Sequence, residues 1–179
     1  YQDLAKILDI SEASARVTAS RYVKQGLLIR IKRNIYVLRE KWDAAEREVQ
    51  FVLANLGQVP SYISLMTALD YYQITTQIQR DFIESVAVKR TKEIRVNRTL
   101  FRYTRVSSDL YGDFNKQKGF FIAIPEKAFL DSMYLMSFGR YTFDLSSIDA
   151  EKFDRRKLKR MSRKLPLKTQ KLLQKNGYL

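Results

Sequence analysis

The side chains able to do chemistry in this chain are carboxylates, amines and hydroxyls: 19 Asp plus Glu, 33 Lys plus Arg, and neither His nor Cys. That inventory removes disulfide frameworks, zinc sites built on thiolate or imidazole, thiol nucleophiles, Ser-His-Asp triads and haem ligation. Two acid pairs, Asp81 with Glu84 and Glu126 with Asp131, have the residue types that hold magnesium in a metal-dependent nuclease. Neither pair is flanked by the further acid and lysine that such a centre uses, so no catalytic residue, metal ligand or cofactor is assigned. The six glycines, at positions 26, 57, 112, 119, 139 and 177, never cluster into a phosphate-cradling loop. What remains is charge. A formal net charge of +14 and a pI near 10 favour a polyanionic partner.

The charge is uneven along the 179 residues. Residues 1–40 hold eight basic and four acidic side chains, residues 81–123 nine and five, and residues 146–179 eleven and three. Residues 41–80 hold three basic and four acidic ones and read as core. In the first block Leu4, Ile7 and Leu8 recur at helical spacing. Ser11 then opens a second helix, its hydroxyl placed to accept a free first-turn amide and Glu12 placed at the positive end of the dipole. Gly26 stops that helix. Ala15, Ala19, Tyr22 and Val23 form its inward side, whereas Ser14, Arg16, Val17, Thr18, Ser20, Arg21 and Lys24 form an outer side without an acid.

Beyond Gly26, residues 27–32 and Ile35–Leu38 have strand character around Arg33-Asn34, a two-residue hairpin turn in which Asn tolerates positive φ. Helix, turn, helix and hairpin in this order predict a winged helix-turn-helix over residues 1–40, lacking an upstream helix because the sequence begins at Tyr1. The second helix would enter the major groove and the hairpin would touch adjacent backbone. The candidate DNA-binding residues are Ser11, Ser14, Arg16, Val17, Thr18, Ser20, Arg21 and Lys24 on the helix, and Lys32, Arg33 and Asn34 at the wing tip.

Residues 41–179 predict a mixed α+β domain with a small sheet and a basic helical tail from about residue 146. One helix is expected over residues 40–56, with Trp42, Ala45, Val49, Val52, Leu53 and Leu56 as its apolar stripe. Ser64 is expected to cap a buried helix over 65–72, strands to occupy 83–88, 99–106 and 119–124, and a loop to span 107–118. Pro125 suits the first turn of a helix continuing through Ala128, Phe129, Leu130, Met133 and Tyr134. The tail reads as a helix over 149–165 capped by Asp149, with Phe153, Leu158, Met161 and Leu165 inward and Arg155, Arg156, Lys159, Arg160 and Arg163 as auxiliary phosphate contacts. An alternative is a nucleic-acid or protein binding module that uses the middle sheet, where Arg98 to Arg105 interleaves aromatic and basic residues, together with the tail. The longest apolar run, Phe120 to Ile124, is too short to cross a bilayer, so a cytoplasmic protein without a membrane partner is expected.

Three segments, LAKILDISEASARVTASRYVKQGLLIRIKRNIYVL, YISLMTALDYYQI and GFFIAIPEKAFLDSMYL, together resemble the AbiEi family of antitoxins from bacterial type IV toxin-antitoxin (abortive infection, phage-defence) systems. The third, in which a strand runs straight into Pro125-Glu126-Lys127-Ala128 and Leu130-Asp131, is the most specific, and the similarity covers roughly residues 1–137. Asn34 stands where a glycine is expected in the wing. The resemblance implies a transcriptional autorepressor, with a winged helix that binds inverted repeats in the promoter of its own operon as two copies of a protein monomeric in solution. It also implies a second domain that counteracts a nucleotidyltransferase-like toxin without a stable complex. On this sequence the resemblance puts the reading helix at Ser14 to Arg21 and the wing tip at Lys32 to Asn34.

Overall fold

Five large side chains of alternate strand positions, Ile63, Phe101, Tyr103, Phe120 and Ile122, are fully buried and build one face of the central sheet. The computed structural model describes all 179 residues. Its elements run α1 (Gln2–Leu8), α2 (Glu12–Lys24), β1 (Leu28–Lys32), β2 (Ile35–Leu38), α3 (Arg39–Asp43), α4 (Arg47–Gly57), β3 (Ser61–Ile63) and α5 (Leu65–Tyr71). Then follow β4 (Phe82–Ala87), β5 (Lys92–Val96), β6 (Thr99–Arg105), β7 (Phe114–Gln117), β8 (Phe120–Ala123), α6 (Pro125–Ser137), α7 (Arg155–Ser162) and α8 (Leu167–Lys175). The architecture is mixed α+β. The β1–β2 hairpin stands apart from a six-stranded sheet of order β5-β6-β4-β3-β8-β7, in which β4 with β6 and β3 with β8 are parallel and the other pairs antiparallel.

The pleat assigns the two faces. Trp42 of α3 packs on Phe101 at 6.1 Å between ring centroids, Phe51 of α4 meets Phe120 edge-on at 5.2 Å, and the Tyr103 hydroxyl donates to the Ala54 carbonyl at 2.6 Å. On the opposite face Tyr62 stacks on Phe114 at 4.7 Å and reaches Asp131 of α6. Ile29 and Ile31 of the hairpin belong to the same apolar core, which extends through Leu158 and Leu173. No helix is long and apolar enough to cross a membrane.

Several expectations are corrected. The helix expected over 40–56 is two helices separated at Ala44 to Glu46. In an unbroken helix, nine residues of separation would turn Trp42 and Phe51 to opposite sides; the break lets both face the sheet. The buried side of α4 is Phe51, Ala54 and Asn55, while Val49 and Leu56 of the expected stripe are 46% and 40% exposed. The loop expected over 107–118 contains β7, and the short strand β3 and the polar strand β5 escaped the sequence pattern. The tail helix begins after Asp154, whose carboxylate accepts the Lys157 amide at 3.0 Å, whereas Asp149 precedes a single 3-10 turn and makes no side-chain cap. Ser64 caps nothing either, because its hydroxyl donates to Asp131 at 2.8 Å.

Candidate nucleic-acid interface

The candidate residues are centred on α2. Ser11 takes an extended conformation and accepts the Ser14 amide at 3.1 Å, closing the helix start, and the two hydroxyls lie 2.9 Å apart. Ala15 and Ala19 are completely buried and set the inward side. Ser14, Arg16, Val17, Ser20, Arg21 and Lys24 are exposed, and Thr18 is half-buried. Val17, at 55% exposure, is an apolar contact available to a thymine methyl. None of Arg16, Arg21, Lys24, Lys32 or Arg33 takes part in an ion pair.

The hairpin adjoins this side. Lys32 pairs with Ile35 across the turn, next to a bulge between Arg30 and Lys32, and Asn34 adopts φ 65°, a left-handed conformation that Asn tolerates. Asn therefore serves where glycine was expected. Arg16 is less free than its exposure suggests: its guanidinium lies 5.3 Å from the centroid of the Tyr1 ring, and the Tyr36 hydroxyl of β2 donates to that of Tyr1 at 3.0 Å. This contact ties α1, α2 and the hairpin together. Arg30, opposite Tyr36 in the ladder and exposed, was missed by the sequence reading, although the alternation Ile29 in, Arg30 out, Ile31 in marks it.

The five tail cations singled out above, Arg155, Arg156, Lys159, Arg160 and Arg163, are exposed and free of ion pairs. Their neighbours Lys152, Lys157 and Lys164 pair with Asp149, Glu126 and Asp113. Asp113 directly precedes β7, at the sheet edge remote from β5, against which the hairpin packs. The tail helices α7 and α8 pack on α6, whereas the hairpin packs on edge strand β5.

The acid pairs do not converge as metal sites. Glu126 accepts the Asp154 amide at 3.1 Å and meets Lys157 at 3.2 Å, and Asp131 is enclosed by Lys127, Tyr62 and Ser64. Asp81 is exposed at a left-handed turn, whereas Glu84 is buried, with Oε2 accepting from the Tyr141 hydroxyl at 2.7 Å and Oε1 unpartnered. No group of three or more Asp, Glu, His or Cys side chains has a metal-holding arrangement. The aromatics of the interleaved strand β6 are also committed, since Phe101 and Tyr103 are completely buried and cannot stack on a base.

Burial pushes the Glu84 carboxyl up to about 7, against the opposing hydrogen bond from Tyr141 and the charge of Arg102. In the unfolded chain the group titrates near its ordinary value of about 4.3. Between these values the folded protein keeps a proton that the unfolded chain has released, so this stabilisation is complete below the lower value and declines as pH rises through the upper one. The decline is on the order of 3 kcal/mol. Glu84→Gln, which cannot ionise, is expected to flatten the stability profile between pH 5 and 8 in urea unfolding; parallel profiles for the two proteins would contradict this.

Comparison with protein-family models, with curated proteins and with solved structures finds no match.

Proposed function

We propose that this chain is a DNA-binding transcriptional autorepressor and antitoxin, the role implied by its resemblance to the AbiEi family. In this reading residues 1–40 act as a winged helix-turn-helix, α2 enters the major groove of an operator inverted repeat, and the β1–β2 hairpin touches the neighbouring backbone. The observation that carries the reading is the outer side of α2 with the hairpin tip, where Arg16, Arg21, Lys24, Lys32 and Arg33 form no ion pair and Arg21, Lys24 and Arg33 stand exposed, while Lys32 is half-buried and Arg16 packs over Tyr1. Arg is the residue best suited to a guanine edge, and Lys and backbone amides suit phosphate. Residues 41–179 would carry the antidote role against a nucleotidyltransferase-like toxin, as the resemblance implies.

Competition binding tests the proposal. A labelled duplex from the region upstream of the chain's own gene is displaced by unlabelled copies of itself, by scrambled duplex, by single-stranded RNA and by heparin. The unlabelled operator is expected to compete at concentrations about 10³-fold or more below the scrambled duplex. Equal displacement by all competitors would reduce the protein to a nonspecific polyanion binder.

A further inference from the structure

Helical spacing expects Val52 and Leu56 on the inner side of their helix, but α4 turns Phe51, Ala54 and Asn55 inward instead. Val52 and Leu56, one turn apart, form one wall of a cavity of about 400 Å³. Val59, in the segment before β3, forms a second wall, and Tyr111, Phe114 of β7 and Phe121 of β8 form the third. Leu56, Val59 and Phe121 are exposed, so the cavity opens to solvent. No charged side chain lines it, in a chain whose net charge is +14.

Asn55, beside Leu56 on α4, also lines the cavity. It is 9% exposed, and its Oδ1 accepts the Phe121 amide at 2.6 Å. An amide hydrogen is accepted only by the oxygen end of the side chain, so this bond fixes which end is Nδ2. Nδ2 is buried and has no partner within the chain. The Ser61 hydroxyl, also on the lining, donates to the Gln58 carbonyl and leaves Asn55 as the buried donor without an acceptor. Buried donors in folded proteins are nearly always paired, and each exception calls for a cause. An acceptor carried by a ligand supplies one.

We propose that this cavity binds a flat, neutral, largely apolar small molecule, its ring packed among Tyr111, Phe114 and Phe121 and its carbonyl oxygen accepting from Asn55 Nδ2. The volume and the apolar lining with few polar groups are those of a small-molecule site. Tyr111 meets Phe114 edge-on at 5.4 Å, and Phe114 meets Phe121 edge-on at 5.7 Å. Rings set at steep angles to one another offer a further ring both edge-to-face and offset contact. The charge state of the ligand follows from the wall. A phosphate or carboxylate would leave water without meeting a cation, whereas a carbonyl needs only the one donor that Asn55 has free. The site is independent of the reading of α2.

The test follows the nitrogen–proton correlation spectrum of the full chain during titration with acetylnaphthalene, a flat bicyclic ketone, and with ethylnaphthalene, which has the same rings and no acceptor. The ketone is expected to give saturable shifts centred on the cavity residues and to move a side-chain amide proton of Asn55 downfield. Ethylnaphthalene is expected to leave that proton in place. Leu56→Trp and, separately, Val59→Trp put a larger ring into the cavity from α4 and from the segment before β3. Both positions are exposed, so the fold is retained, as unfolding by urea verifies, and each variant is expected to lose the saturable shifts. The absence of saturable shifts with the ketone, shifts scattered over the surface, or shifts that persist in both variants overturns the cavity as a binding site. An Asn55 proton unmoved by the ketone, or moved equally by both probes, overturns the carbonyl as the recognised group.

Discussion

Lys127→Ala is expected to destabilise the fold by about 3 to 5 kcal/mol, the cost of leaving a buried charge without its partner. Lys127 and Asp131 side chains are only 6% and 2% exposed, one helical turn apart on α6, with Nζ 2.6 Å from Oδ1. The same ammonium donates to the Leu110 carbonyl at 2.6 Å, and the other carboxylate oxygen accepts from Ser64 at 2.8 Å and Tyr62 at 3.0 Å. Burial raises the Asp131 pKa, while the Lys127 charge and the three hydrogen bonds favour the ionised form. Without Lys127 the balance tips toward burial, and the Leu110 carbonyl loses its donor.

Urea unfolding measures the loss, with an unchanged denaturant slope showing that the folded state has kept its compactness. The double variant Lys127→Met/Asp131→Asn is expected to recover part of it, because the asparagine oxygen still accepts from Ser64 and Tyr62 and no charge is left stranded. A loss below about 1 kcal/mol in the single variant, the value of an exposed pair, would contradict this account of the network. Two of the three segments that carry the AbiEi resemblance meet here: Tyr62 and Ser64 come from one, Lys127 and Asp131 from the other. Their residue types are explained by joining sheet to helix. Ser64 is completely buried and serves as a donor.

Sequence reading recovers features governed by local rules. Asn34 at φ 65° between paired Lys32 and Ile35 follows from turn chemistry, Ser11 from capping, and Ala15 with Ala19 from helical spacing. Features set by tertiary contact escaped it. The α3–α4 break answers to the need for Trp42 and Phe51 to share one sheet face. Strand β3 is three residues long and wholly buried, so it shows no alternation, and β5, an edge strand beginning at Lys92, reads in sequence as a basic turn. Ser64 and Asp131 stand 67 positions apart, and no local pattern announces their bond.

Arg21→Ala is expected to cost about 1 to 3 kcal/mol on operator DNA, roughly a 5- to 150-fold loss of affinity, if its guanidinium reads a base edge. Arg21 is the sharper probe of α2 than Arg16. It is exposed and makes no ion pair, whereas Arg16 also packs over Tyr1, so Arg16→Ala would disturb the tie between α1, α2 and the hairpin as well as any DNA contact. Fluorescence anisotropy at one fixed salt concentration, with the operator duplex and a scrambled duplex of equal length, measures the effect directly. The account predicts that the wild-type chain prefers the operator and that Arg21→Ala loses affinity for the operator alone. Equal binding of both duplexes by the wild-type chain, or no loss in the variant, would contradict the claim that α2 reads DNA.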